Sequence, residues 1–412
     1  MVAPPHGSVI RQHLRLLRWP ADSCGQRRHA ILTRRLVKAP HLKMILESWS
    51  LLLEIPTLAI APRSYGGVPA QCGQTLEEFA AAAGISRFSG RGPYRDFLLR
   101  APLTALPAIT RMEQSAGGIK FCLEAGRPQA AALETESVIV AMQGFHGHRW
   151  HTLCLSSQVG CRMGCTFCQT ARMGLQRNLT AAEIVVQLMV ARAILRGSDP
   201  MSQRSEASGA DVRNLVFMGM GEPLDNFDAV VQAIRVFTDP NGFNMPLSRI
   251  TVSTVGRIDG LKKLSALNWP HLRLAISLNA ADDDLRSRLM PVNKAMPLAE
   301  LRQALLEYPL PRRGRFLIEY VLIKDVNDSP QDALKIAQWC KPLPVTVNVI
   351  GYNPQQPATF ATPGEEEQIA FVRQLRNWGV FAKRRVTHAR DLMGACGQLG
   401  NVNLRRAAGS PA

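Results

Sequence analysis

From residue 152 onward the chain alternates two rhythms. Short apolar runs at 152–156, 213–218 (RNLVFM), 249–254 (RITVST), 271–277 (HLRLAIS), 315–323 (RFLIEYVLI) and 344–350 (PVTVNVI) have the length and β-branched content of buried strands. Between most of them, 180–196, 227–238, 258–266, 297–307 and 329–341 repeat apolar residues at helical spacing, with Thr180 and Ser329–Pro330 as starts. Six such alternations predict an α/β fold, a parallel sheet with its helices outside, closing as a partial (β/α)6 barrel. In barrels of this kind the chemistry sits in the βα loops, at the C-terminal ends of the strands.

Ahead of the barrel the pattern is different. Residues 75–83 (TLEEFAAAA) predict a helix, with Thr75 and Glu78 as a capping box and Gly84 as the stop. Gly90 and Gly92–Pro93 then punctuate the chain, before a short apolar segment from Tyr94 to Leu99. Residues 119–140 alternate as a β-hairpin that leads into the core. The expected organisation is a leader over 1–44, a small helical accessory domain over 45–114, a hairpin extension over 115–150, the barrel over 151–352, and a C-terminal segment over 353–412.

Composition adds a partner class. The 412 residues carry a formal charge of +17, which favours an anionic macromolecule, nucleic acid first. Residues 1–44 hold nine Lys/Arg against Asp22 alone, so 9 − 1 = +8 of that charge lies there. This leader fits an organelle transit peptide, an RNA-gripping arm, or a mis-assigned start with Met44 as the first residue, and we expect the last. The most apolar stretch, 44–61, is interrupted by Glu47, Glu54 and Pro56, which excludes a membrane span there. Nine cysteines, four of them within 154–168, do not form a disulfide framework and suit a reducing, cytoplasmic setting.

The chemistry begins with Cys161, Cys165 and Cys168, spaced C-x3-C-x2-C in CLSSQVGCRMGCTFCQT, directly after the first barrel strand. Three thiolates on one loop hold three irons of a [4Fe-4S] cluster and leave the fourth open. That is the site a radical S-adenosylmethionine enzyme needs, because the methionine amino and carboxylate groups chelate the open iron. A zinc knuckle would want a fourth ligand, and no Cys or His follows within thirty residues, although His151 and Cys154 lie just upstream. After the second strand, MGMGEPLDN offers Gly219 and Gly221 for close backbone approach and Glu222 as an acceptor for an ammonium group. Ser253, Ser277 and Asn353 end the third, fourth and sixth strands and would face the same rim. Near the C-terminus, Cys396 stands between Ala395 and Gly397 in DLMGACGQLG. Such a flank exposes a thiol, whereas a free cysteine is more often a small buried hydrophobe.

With these residues in place, the chain resembles the RlmN/Cfr group of radical S-adenosylmethionine RNA methyltransferases over about residues 115–405. The likeness is carried by CLSSQVGCRMGCTFCQTA, LQRNL, VFMGMGEPLDN, ITVSTVGR, LAISLNA, RLMPVNK, IEYVLIKDVND, YNP and ACGQL, in family order. The resemblance implies methylation of an adenine ring carbon, most commonly C2, in large-subunit rRNA and in tRNA, with C8 methylation as the alternative. It implies two S-adenosylmethionine molecules per turnover and an electron donor such as flavodoxin or ferredoxin, in a monomeric cytoplasmic enzyme. Cys396 takes the role of the S-methylcysteine intermediate, Cys154 that of its transient disulfide partner, and Glu136 that of proton acceptor, with Glu134 as fallback. Gly221, Glu222, Ser253, Ser277, Leu278, Asn279 and Asn353 would contact the cofactor. Two positions depart from the family pattern: Asn279 stands where relatives carry histidine, and His388 where they carry arginine. Arg385 and Arg390 keep that region basic and are candidates for phosphates.

Two other function classes fit the cysteine loop. A radical enzyme for a peptide or small molecule would not need both Cys154 and Cys396. A non-catalytic iron–sulfur RNA-binding protein would not need Glu222 and the serine rim.

Overall fold

The computed structural model describes residues 68–125, 133–144, 147–198, 212–355, 357–386 and 389–401. The chain divides into two units, Met1–Ala59 and Ile60–Ala412, and every described residue belongs to the second. The basic leader, the 44–61 stretch and His388 lie outside the described residues.

Helix α1 (Leu76–Ala82) starts at the expected Thr75–Glu78 capping box and ends before Gly84, whose φ is +65°. Helix α2 (Arg87–Arg100) then runs straight through Gly90, Gly92 and Pro93, where the sequence suggested punctuation. Packing overrides propensity here. A Cβ on Gly90 would stand 3.3 Å from that of Ala80, so the glycine is what lets α1 and α2 come close.

The extension holds three antiparallel strands rather than a single hairpin: β1 (Ile109–Ser115), β2 (Gly118–Glu124) and β3 (Glu134–Gln143). β1 is almost wholly exposed and polar, so it carries no apolar alternation to read. β4 (Arg149–Cys154) pairs antiparallel with β3, in the register Val138↔Cys154.

A two-stranded clasp comes next, β5 (Gln158–Gly160) with β6 (Leu175–Asn178), and closes the base of the cysteine loop, which contains α3 (Gln169–Arg172). At Gly160 (φ +74°) a Cβ would land 1.8 Å from the Gly174 carbonyl oxygen, so only glycine permits this closure.

The remaining elements alternate as predicted. They are α4 (Ala181–Ser198), β7 (Val212–Phe217), α5 (Phe227–Thr238), β8 (Ile250–Thr254), α6 (Ile258–Ala266), β9 (Arg273–Ser277), α7 (Asp283–Leu289), α8 (Leu298–Leu306), β10 (Phe316–Leu322), α9 (Pro330–Cys340), β11 (Val345–Gly351), α10 (Glu365–Asn377) and β12 (Ala382–Arg384). Strands β4, β7, β8, β9, β10 and β11 are parallel and neighbours in chain order: the six-stranded barrel arc. β12 adds a seventh parallel strand at one edge and β1–β3 extend the other, making ten strands among the described residues. α7, α10 and β12 have no counterpart among the elements expected from sequence.

Every residue of β11 is buried, and β10 is nearly so, because helices cover one face and the cavity side the other. Gln187 of α4 is fully buried and accepts from Ser137 Oγ (2.7 Å) and Ser156 N (2.9 Å), while donating to Ser156 O (2.9 Å). This fixes the end of β4 against β3 and thereby the start of the cysteine loop.

Candidate active site

Two cavities meet at the C-terminal ends of the strands. The first is lined by Cys165, Cys168, Gly219, Gly221, Glu222, Ser253, Ser277, Asn279 and Glu319, together with Arg385 and Cys396. The second is lined on one side by Val140, Thr152 and Cys154, and on the other by Ile350, Arg385 and Cys396. β4 and β11 stand at opposite ends of the parallel arc, so the arc has curved until its ends face each other. The segment 394–396 crosses between them.

The cysteine loop is held at three points. Gln158 donates to Asn178 Oδ1 (2.8 Å) and Asp225 Oδ2 (3.0 Å) and accepts from Glu222 N (2.9 Å). Asp225 also receives Arg162 of the loop and Arg257 beyond β8, at 2.5 and 2.6 Å, which hold its carboxyl below the usual range. Arg286 is fully buried, and its guanidinium donates to Leu278 O (3.0 Å), Asn293 Oδ1 (2.7 Å), Val255 O (2.7 Å) and Ser277 O (3.2 Å). It thus clamps the ends of β8 and β9. Nothing in the sequence around DDLRSRL marks this residue, whereas Gln158 and Asp225 lie inside the motif segments.

Cys161 and Cys165 are buried and Cys168 half-buried, all free, amid Met163, Phe167, Met290 and Tyr352. Burial pushes the Cys161 thiol up to about 12 and those of Cys165 and Cys168 up as well, each also raised by a neighbouring cysteine. Three adjacent thiolates in such surroundings require a cationic centre among them. Three cysteine sulfurs gathered on one loop, Cys165 and Cys168 lining the same cavity, are a donor set of the iron–sulfur kind.

Glu222 is buried, and its oxygens accept from Val255 N (2.9 Å) and Leu224 N (3.1 Å). Desolvation raises its carboxyl to about 7. Gly221 (φ +98°) leaves no room for a side chain, since a Cβ would stand 2.6 Å from that of Gln158. Asn279, also left-handed at φ +58°, accepts from Val321 N (2.8 Å) and donates to Met290 Sδ. Leu278 is different. Its side chain is buried in the main core and lines neither cavity; it contributes through its backbone, donating to Glu319 O and accepting from Arg286.

Cys396 is half-buried and sits on the wall shared by the two cavities. Its loop is firmly bracketed. Asn353 Nδ2 donates to Cys396 O (3.1 Å), Gln169 N to Gly397 O (2.7 Å) and Thr170 Oγ1 to Leu399 O (2.6 Å). Gln398 bridges from Ala395 N to Pro354 O. The thiol loop is therefore tied to the residues that directly follow Cys168. Cys154 is a free buried thiol in the second cavity, pushed up to about 12 by burial and by Cys396.

Glu136 is not brought into either cavity. It is buried at 2.9 Å from Lys120 Nζ and 3.4 Å from Arg111 Nη2, on the face of β3 that carries Val138. Lys120 also donates to Met393 O (3.3 Å), beneath the thiol loop. Glu134 is half-buried, 4.0 Å from Arg111. Arg390 is exposed and donates from Nε to Asn353 Oδ1, and Arg385 turns one end of its guanidinium toward Glu319.

Residues 155–337 match the radical SAM superfamily model. A probable dual-specificity RNA methyltransferase RlmN 1 from Protochlamydia amoebophila is 44% identical over 274 residues, covering 66% of this chain and 72% of its own. A probable dual-specificity RNA methyltransferase RlmN from Moorella thermoacetica is 37% identical over 347 residues, covering 79% and 94%. The chain belongs to the RlmN/Cfr family of radical S-adenosylmethionine RNA methyltransferases. A crystal structure of a radical SAM methyltransferase from Sphaerobacter thermophilus superposes with a TM-score of 0.69 at 32% identity, over 79% of this chain and 98% of that one.

As a member of this family the protein is a radical S-adenosylmethionine methyltransferase whose resident groups are a [4Fe-4S] cluster and S-adenosylmethionine. The partial barrel is the fold of that family. Cys165 and Cys168 line the first cavity together with glycines, serines and the Glu222 carboxylate, and Cys161 is buried in the same cluster of side chains. Among the described residues no helix is long and apolar enough to cross a membrane.

Proposed function

We propose that the protein methylates C2 of an adenine in large-subunit rRNA and in tRNA, through a methyl group carried by Cys396. The observation that carries this reading is the position of Cys396 on the wall common to the cavity of the cluster thiols and the cavity of Cys154. A carrier must face its methyl donor on one side and its acceptor on the other, and an aromatic C–H carbon is too weakly nucleophilic to take a methyl group by simple displacement.

The Cys396 thiolate takes the methyl group from the sulfonium of one cofactor molecule: an S–CH3 bond forms, and S-adenosylhomocysteine leaves. A [4Fe-4S] cluster held by Cys161, Cys165 and Cys168 would supply one-electron reductive chemistry on a second S-adenosylmethionine, enough to remove a hydrogen atom from that methyl group. Cys396 then holds the resulting methylene carbon against the base in the second cavity. Glu136, the proton acceptor that the family resemblance implies, lies outside both cavities against Lys120, so the ring-carbon proton reaches it through an intervening carrier. Attack by the Cys154 thiolate on the Cys396 sulfur breaks the S–CH2 bond and forms a transient disulfide; the carbon leaves with the electron pair and takes a proton to become the methyl group, while the one surplus electron of the adduct would return to the bound cluster. Gly221, Glu222, Ser253, Ser277, Asn279 and Asn353 hold the cofactor, Glu222 through its ammonium group. A flavodoxin- or ferredoxin-type donor and a monomeric, cytoplasmic enzyme complete the reading.

The test is mass spectrometry of nucleosides from rRNA and tRNA of a deletion strain, complemented with wild type or Cys396→Ala. 2-Methyladenosine should return with wild type alone. 8-Methyladenosine would move the enzyme to C8 chemistry, and the absence of both would overturn the reading.

A further inference from the structure

Five residues line both cavities: Met218, Ile350, Asn353, Arg385 and Cys396. Only Arg385 among them is charged. Asn353 is already committed, donating to Cys396 O and accepting from Arg390. Arg385 follows β12, and its backbone N donates to Val349 O (2.8 Å), which extends the β11–β12 ladder by one residue. Its side chain is anchored at one end only. Nη1 lies 3.5 Å from Glu319 Oε2 and 3.6 Å from Met218 Sδ, and Glu319 is steadied by Asn348 Nδ2 at 2.7 Å. Nε and Nη2 have no hydrogen-bond partner among the described residues. A guanidinium with two spare donors thus stands on the wall that carries Cys396, in a second cavity whose remaining lining is mostly apolar.

We propose that Arg385 is a catalytic residue, donating a hydrogen bond to the purine ring nitrogen that flanks the carbon being methylated. The proposal rests on Cys396 being the methyl carrier. Each methylatable ring carbon of adenine has such a nitrogen: N1 or N3 beside C2, and N7 beside C8. A base presented carbon-first to Cys396 therefore brings a ring acceptor toward the neighbouring guanidinium. When the Cys396-borne methylene carbon bonds to the ring carbon, the unpaired electron moves into the ring, and loss of that carbon's proton then leaves negative charge on the adjacent nitrogen. Nothing is transferred to Arg385. A fixed donor aimed at that nitrogen stabilises the addition more than the bound ground state. Its other end faces the buried Glu319 carboxylate at 3.5 Å, which biases the guanidinium toward the shared wall.

The experiment uses holoenzyme and an RNA hairpin carrying the adenosine mapped by nucleoside sequencing, replaced in turn by 1-deaza-, 3-deaza- and 7-deazaadenosine. Arg385→Met should keep its iron and its S-methylation of Cys396, yet slow single-turnover transfer to the RNA roughly 10²-fold, the usual effect of losing one aligned donor. One deaza substrate should slow wild type by the same factor and slow Arg385→Met no further. Arg385→Lys should recover little, because an ammonium cannot reproduce the planar fork. Loss of Cys396 methylation in Arg385→Met, or wild-type transfer by it, would overturn the proposal. So would equal wild-type rates on all three deaza substrates, a result independent of how the variants fold. Absence of S-methylcysteine from wild-type enzyme would instead refute the carrier reading itself.

Discussion

Arg286→Leu tests whether the rim of the cofactor cavity is held by one buried guanidinium. Arg286 is fully buried and makes four hydrogen bonds, to Leu278 O, Asn293 Oδ1, Val255 O and Ser277 O. Leucine would leave those acceptors without this donor, at about 1–3 kcal/mol for each one that water cannot reach. Two of the four are only part-buried. The loss is then on the order of 4–6 kcal/mol before any offset. The offset is real: burial lowers the Arg286 pKa to about 10, a penalty on the buried charge of about 3 kcal/mol that leucine removes. The hydrogen bonds win, and the expected net destabilisation is about 1–3 kcal/mol. Urea unfolding of the apo protein, followed by circular dichroism, measures it through the shift in midpoint at constant slope. A loss under about 0.5 kcal/mol would refute the reasoning, because it would mean that water or neighbouring groups satisfy these carbonyls without the arginine.

Three further outcomes are expected at the site. Cys165→Ala should lose the iron of the reconstituted protein, and wild-type iron stoichiometry in this variant would remove Cys165 from the ligand set. Glu222 is raised from 4.5 to about 7 by burial, so its protonated form is favoured in the fold. The stability it contributes is fully present below pH 4.5 and is lost as pH rises to about 7, a change of about 3 kcal/mol in apo protein. Glu222→Gln should flatten that slope, and an unchanged pH–stability curve would show the carboxyl to be solvated. Lys120→Met leaves buried Glu136 with only the half-exposed Arg111 as counter-charge. A loss of about 2 kcal/mol in urea is expected, somewhat below the usual effect of breaking a buried pair.

Strand and helix periods, the Thr75 and Ser329 caps and the cysteine spacing were all legible because each is written in residues within a turn or two of one another. The same holds for the glutamate after the second strand and for Cys396 between its small neighbours, which the structure leaves half-buried. The exceptions have definite causes. β1 is polar along its length and forms only because β2 offers it a ladder. α2 crosses Gly90 and Pro93 because α1 packs over that glycine.

Side-chain roles were harder to read than elements. Leu278 belongs to the motif but points into the core, and Arg385 belongs to a basic stretch but turns inward to Glu319.

What the chain determined by itself is the chemistry it carries: the thiols, the carboxylate and the alternation that puts them at strand ends. What the tertiary structure alone decided is adjacency. Cys154 and Cys396 lie 242 residues apart (396 − 154) and share one cavity only because the arc curves until β4 faces β11. Arg286 and Glu319 likewise meet partners distant in sequence, Val255 O beyond β8 and Asn348 opposite Glu319 on β11. Local spacing sets which groups are available, whereas closure of the sheet sets which of them meet. That closure depends on the buried faces of all six strands at once, which no single segment of sequence encodes.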